Sequence, residues 1–174
     1  MKAIVFTSNT GSTAEYARIL EQKTGIKAYD LKTAEKTLAQ GDAVVYLGWL
    51  MAGLINGYNR ARRLFDVKAV GAVGISAKGV LCDEIVKNNN IPSGVELFEL
   101  QGAYYPQKLK GLHKLLMKIV AKSIVKSLRG KALPTDEDLE MINVLENGGS
   151  FISEQRAEAF ADYIVRAQVA NYEE

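Results

Sequence analysis

Cysteine and histidine are almost absent from this chain, with Cys82 and His113 the only ones in 174 residues. A single cysteine excludes an internal disulfide framework and a multi-cysteine metal site, and a single histidine leaves no cluster for zinc. The same scarcity argues against a Ser-His-Asp triad. Cys82 sits in an apolar-to-acidic helical segment and reads as a small buried hydrophobe rather than a nucleophile. Nowhere do eighteen apolar residues run without a charge, and the N-terminus passes into a strand with no cleavable leader pattern, so a cytoplasmic location is expected. Any redox chemistry must then come from a bound cofactor.

What is present is ordinary globular material, 48% hydrophobic and 24% charged, expected to form a single domain over residues 1–174. The net charge of +2 hides a division. Residues 100–135 hold eight of the 22 basic side chains and no acid, which leaves 14 basic against 20 acidic, or −6, for the remainder. An acidic body thus carries a basic insert over about residues 103–149.

The most informative stretch is Lys2 to Tyr16, KAIVFTSNTGSTAEY. Its β-branched and aromatic start suits a buried strand, and helix-forming residues return at Ala14. Between them, Ser8, Asn9, Thr10, Gly11, Ser12 and Thr13 form a loop of small polar residues around one glycine. Such a loop can turn backbone N–H groups and several hydroxyls onto one anion, with the positive end of the helix dipole behind them. The loop lacks the lysine of a P-loop and the three glycines of a dinucleotide fingerprint. Neutral donors suit the phosphate monoester of FMN better than a triphosphate carried with magnesium. An ordinary N-capped helix after a strand is the plainer alternative.

Further along, apolar runs at 26–31, 43–48, 69–76 and 95–100 read as strands, separated by helical segments at 12–23, 33–39, 54–65 and 79–88. Strands alternating with helices at this spacing predict right-handed βαβ crossovers and a doubly wound parallel sheet of five strands, order 2-1-3-4-5, with no domain boundary. A ligand then lies beyond the carboxyl ends of the strands at the switch point between strands 1 and 3. That directs attention to the apolar loop Gly48, Trp49, Leu50, Met51, Ala52 and Gly53, which carries the only tryptophan, and to Ser76, Ala77, Lys78 and Gly79 after strand 4. Trp49 is expected either to cover a flavin ring or to pack on the sheet edge. The turn at 56–60 could close over the ring edge or simply start a helix.

The phosphate loop resembles that of the flavodoxins, Thr/Ser-x-Thr-Gly-x-Thr, which Ser8, Thr10, Gly11 and Thr13 match at every defined position. The resemblance implies a flavodoxin-like fold holding FMN through residues 8–13, 48–53 and 76–79. Many flavodoxins place a tyrosine in the loop after strand 4, and this chain has none there. Beyond strand 5, the turn Gly102-Ala103-Tyr104-Tyr105-Pro106, the helix containing Lys114-Leu115-Leu116-Met117-Lys118 and the Thr135-Asp136 exit resemble the insert of the menaquinone-dependent protoporphyrinogen oxidases. That second likeness implies dehydrogenation of a small molecule, with electrons leaving through FMN to a quinone-linked partner.

The insert helix, expected over 107–128, has a largely apolar stripe of Leu112, Leu115, Leu116, Ile119, Val120, Ser123 and Val125, while Lys110, Lys114, Lys118, Lys122 and Lys126 recur every fourth residue. This pattern serves a core-packing stripe, a homodimer contact, or a helix lying peripherally on the inner face of a membrane near its quinone. No nucleic-acid partner is expected. Three functions follow: an FMN oxidoreductase, an electron carrier between protein partners, and a flavodoxin-like module without flavin. The basic insert favours the first over the second, because carriers usually present an acidic face to redox partners.

Overall fold

The computed structural model describes residues 1–75 and 81–170. The chain divides into two compact units, Met1–Gly102 with Ile152–Glu174, and Ala103–Phe151.

In the larger unit, β1 (Ala3–Thr7) leads through a bend into α1 (Ser12–Thr24), which stops at Gly25 in the left-handed conformation. After β2 (Ala28–Asp30), the carboxylate of Asp30 accepts from the backbone N–H groups of Lys32 and Thr33 and caps α2 (Leu31–Thr37). Then come β3 (Ala43–Met51), β4 (Leu54–Ile55), α3 (Tyr58–Leu64), β5 (Asp66–Gly74), α4 (Cys82–Asn89) and β6 (Glu96–Gln101). The sheet order is β2-β1-β3-β5-β6, all parallel, with β4 antiparallel on the end of β3. An α/β architecture with a mostly parallel sheet is therefore what the alternating pattern produces.

Alternation along the strands builds a core on each face. Val44 and Tyr46 pack on one side with Leu31, Tyr58, Ala61 and Ile85 from the second, third and fourth helices. Val45 and Leu47 pack on the other with Tyr16 and Leu20 of α1 and with Phe160 and Ile164 of the last helix. Gly71 of β5 allows that last helix to approach, since a Cβ there would stand 2.8 Å from the Phe160 ring. The same ring stacks on Phe98 at 4.3 Å.

Two of the boundaries that differ from the sequence reading border the candidate site. The expected apolar loop 48–53 is mostly strand, because β3 runs on to Met51 and turns back through Ala52 and Gly53 into β4. The expected helix over 54–65 is accordingly shorter, and its first residues complete the hairpin. Ala52 and Gly53 both have positive φ, 50° and 74°, as a two-residue hairpin turn requires.

The smaller unit holds β7 (Ala103–Tyr104), α5 (Gly111–Arg129), α6 (Asp136–Asn147) and β8 (Gly149–Ser150), with β7 and β8 antiparallel and α5 packed on α6. Residues 107–110 precede α5 rather than belong to it, and Lys110 is extended at its N-cap. Thr135 and Asp138 close a capping box at the start of α6. The face α5 turns inward is Ala121, which is buried, with half-buried Met117, Ile124, Val125 and Leu128. Of the stripe read from the sequence, Val125 belongs to this inward face, whereas Leu112, Leu115, Leu116, Ile119 and Val120 are 43% to 69% exposed. Core packing, one of the three roles open to that stripe, is therefore met by Val125 alone of its residues, together with Met117, Ala121, Ile124 and Leu128. The chain then returns to the larger unit as α7 (Glu154–Ala170), where the Ser153 hydroxyl accepts from the backbone N–H of Arg156.

Candidate functional site

The Ser8–Thr13 loop leaves the carboxyl end of β1, where Thr7 stands beside Gly48 of β3 in the parallel register. Ser8, Asn9 and Gly11 are exposed, Thr10 and Ser12 half-buried, and Thr13 buried. Gly11 caps α1 at φ 105°, a conformation that favours glycine although nothing crowds the position where a Cβ would sit. Because the cap is a glycine, it gives α1 no side-chain cap hydrogen bond. The helix therefore opens with backbone N–H groups and the positive end of its dipole directed out of the sheet.

Within that first turn, Thr13 is 1% exposed and its Oγ1 has no hydrogen-bond partner among the described residues. A buried hydroxyl left without a partner costs about 1–3 kcal/mol. The arrangement supplies an oxygen acceptor such as phosphate with a hydroxyl donor, uncapped backbone donors and a helix dipole.

The second wall is the β3–β4 hairpin. Thr7 and Tyr46 hydroxyls lie 2.8 Å apart, and each is 2.6 Å from the carbonyl oxygen of Asn56. Burial pushes the Tyr46 phenol well above the ordinary tyrosine range, against a smaller opposing effect from its bond to Thr7. Gly57 follows with φ 83°, and a Cβ there would collide with the Tyr46 hydroxyl and the Thr7 side chain. On the far side of the hairpin, Asn89 is 2% exposed and accepts from the backbone N–H of Ile55 while donating to the carbonyls of Gly53 and Ile85, all at 2.8 Å. Sequence reading missed this residue. Its signal in the sequence is the run Asn88-Asn89-Asn90 at the end of α4.

Of the expected site residues, 8–13 and 48–53 come from the ends of neighbouring strands β1 and β3. Gly48 is buried, and a Cβ on it would meet the Asn56 carbonyl at 2.6 Å. Trp49 and Leu50 are half-buried strand residues, Trp49 paired with Val73 of β5, while Met51 and Ala52 are exposed at the tip and Gly53 is half-buried. Ser76, Ala77, Lys78 and Gly79 lie outside the described residues. Tyr58, in the turn expected to close over a ring, is 1% exposed and packs 6.1 Å from Tyr46. The turn at 56–60 thus opens α3 and contributes its tyrosine to the core. Cys82 is half-buried at the start of α4, with its thiol pushed up by burial and then by Glu99 and Asp83, which disfavours a nucleophilic thiolate.

No protein-family model matches this sequence, and no curated protein matches it.

Proposed function

We propose that the larger unit is a flavodoxin-like domain, with the basic helical segment inserted after its fifth parallel strand, and that the protein is an FMN-dependent redox protein. The observation that carries this reading is the unpartnered, buried Thr13 hydroxyl at an uncapped helix N-terminus, in the loop after the first strand. Thr13 and the backbone donors after Gly11 would hold the phosphate, assisted by Ser8, Asn9, Thr10 and Ser12. Residues 48–53 would border the ring, with the half-buried Trp49 nearest in kind to an aromatic cover. Bound FMN would supply hydride or electron transfer from a small molecule to a quinone-linked acceptor, as the resemblance to menaquinone-dependent protoporphyrinogen oxidases implies.

The chain's own contribution is binding and positioning. The hydroxyl pair Thr7–Tyr46 and the Asn89 bonds fix the hairpin beside the phosphate loop, so the ring would meet a preformed wall. A flavodoxin-type electron carrier is the second reading, favoured by the net −6 outside residues 100–135. Titrating stripped protein with FMN tests the proposal. Stoichiometric binding, a flavin absorption band on the protein and quenching of the single tryptophan are expected. Absence of binding would remove both redox readings, and turnover of a small molecule with added quinone separates the oxidoreductase from the carrier.

A further inference from the structure

The exposed side of α5 is unusual for a helix in a folded domain. Leu112 is 69% exposed, Leu115 56%, Leu116 46%, Ile119 58% and Val120 43%, at the spacing that gathers them on one face. Scattered surface leucines need no explanation, but a contiguous patch of this kind does. The patch is not the helix's packing face, since Met117, Ala121, Ile124, Val125 and Leu128 fill that role. Two apolar stripes therefore share one helix, and only one is covered.

The polar residues between the stripes are of one sign. Lys114, Lys118, Lys122 and Lys126 follow one flank and, with Arg129, line a groove of about 850 Å³. Among the described residues the one acid lining that groove is Glu146, and it is bound to Arg129 at 2.8 Å. None of the four lysines has a salt-bridge partner among the described residues. Leu115 and Ile119 each follow a lysine by one position, so the aliphatic face begins where the ammonium row ends.

We infer that α5 lies in the surface of an anionic lipid bilayer, with Leu112, Leu115, Leu116, Ile119 and Val120 in the acyl boundary and the lysine row among the headgroup phosphates. Among the described residues no helix is long and apolar enough to cross a membrane, which makes this an in-plane helix rather than a span. A lipid surface fits better than a second copy of the chain for two reasons. Five aliphatic side chains about half exposed offer a few hundred Å², short of the roughly 800 Å² per partner of a stable interface. Joining two such faces would also bring together two rows of unpaired lysines. Attraction to anionic headgroups instead grows with each lysine and fades with salt. The inference rests on α5 alone and holds with or without a flavin in the larger unit.

The test is sedimentation of the full chain with vesicles of phosphatidylcholine alone and of phosphatidylcholine mixed with phosphatidylglycerol. At low salt, binding to the mixed vesicles at least tenfold above the neutral ones is expected, with release at high salt. Ile119→Ser with Leu115→Ser, both on the uncovered face, should lower binding at least tenfold with circular dichroism unchanged. Lys118→Gln with Lys122→Gln should flatten the salt dependence. Failure of the wild-type chain to bind either vesicle overturns the proposal. So does a concentration-dependent dimer that the Ile119→Ser and Leu115→Ser pair abolishes, because the stripe then serves a second copy.

Discussion

The phenol oxygen of Tyr46 lies 2.8 Å from Oγ1 of Thr7, a residue 39 positions earlier on the neighbouring strand, and both share the carbonyl of Asn56. This contact ties the end of β1, where the Ser8–Thr13 loop begins, to the hairpin that forms the other side of the candidate site. Tyr46→Phe should therefore cost about 1 kcal/mol, the net worth of an ordinary hydrogen bond, and loosen the hairpin. Gly57→Ala should cost more, because it adds an unfavourable backbone conformation to a collision with Tyr46 and Thr7. Urea denaturation of the two variants gives the order directly. A Gly57→Ala protein as stable as the wild type would mean that the hairpin can move away from β1.

A second tyrosine provides a pH signature. Tyr16 is fully buried, donates to the carbonyl of Gln101 at 2.6 Å, and has its pKa pushed up to about 12, chiefly by burial. The native state thus holds this proton to higher pH than the unfolded chain, whose ordinary tyrosine value is 10.0. The contribution is complete below pH 10 and is lost as the pH rises through 12. Tyr16→Phe should be less stable than the wild type at pH 7, and the difference should shrink between pH 10 and 12. Denaturation curves at a series of alkaline pH values measure it, and a constant difference would show that Tyr16 does not titrate with unfolding.

Asn89 makes a third prediction. Its amide satisfies the backbone N–H of Ile55 and the carbonyl of Gly53 inside the fold, so Asn89→Ala leaves buried groups unpaired as well as removing their partner. The expected loss is about 2–4 kcal/mol. Asn89→Asp should not rescue it, because the carboxylate cannot donate to Gly53 and carries a charge into a buried site. Amide exchange at Ile55 is the sharpest readout and should speed up in both variants.

These residues also mark where sequence reasoning succeeded and where it stopped. The boundary from β1 through the Ser8–Thr13 loop to α1 was legible, because small hydroxyl residues, one glycine and a return to helix formers occur within seven positions. The end of α1 at Gly25 and the start of α7 after Ser153 follow capping chemistry that the local sequence carries. The β3–β4 hairpin was not. Its turn is Ala52-Gly53, and an alanine at φ 50° carries none of the Asn-Gly or Asp-Gly signal that usually announces such a turn. The inward face of α5 was hidden for another reason: two apolar stripes overlap on one helix, and periodicity does not say which of them meets the domain. The Asn89 bonds to Ile55 and Gly53 join positions more than thirty residues apart, which no local pattern records.

The Ser8–Thr13 loop gives the prediction that separates a binding hydroxyl from a structural one. If Thr13 serves only the fold, its hydroxyl should have a partner inside the fold, yet Oγ1 is buried and has none among the described residues. Thr13→Val keeps the shape and β-branching of the side chain and removes the unsatisfied oxygen. The apoprotein should therefore be as stable as the wild type or more so, since a buried polar group without a partner is replaced by a methyl group. Affinity for FMN should move the opposite way, falling by about 1–3 kcal/mol, or roughly 5- to 150-fold, for one lost hydrogen bond to a charged phosphate. Riboflavin, which lacks the phosphate, should bind both proteins equally. Thermal melts of the two apoproteins and fluorescence titrations with FMN and riboflavin complete the test. Unchanged FMN affinity in the variant would sink the assignment of Thr13 to the phosphate, and a loss of apoprotein stability would give its hydroxyl back to the fold.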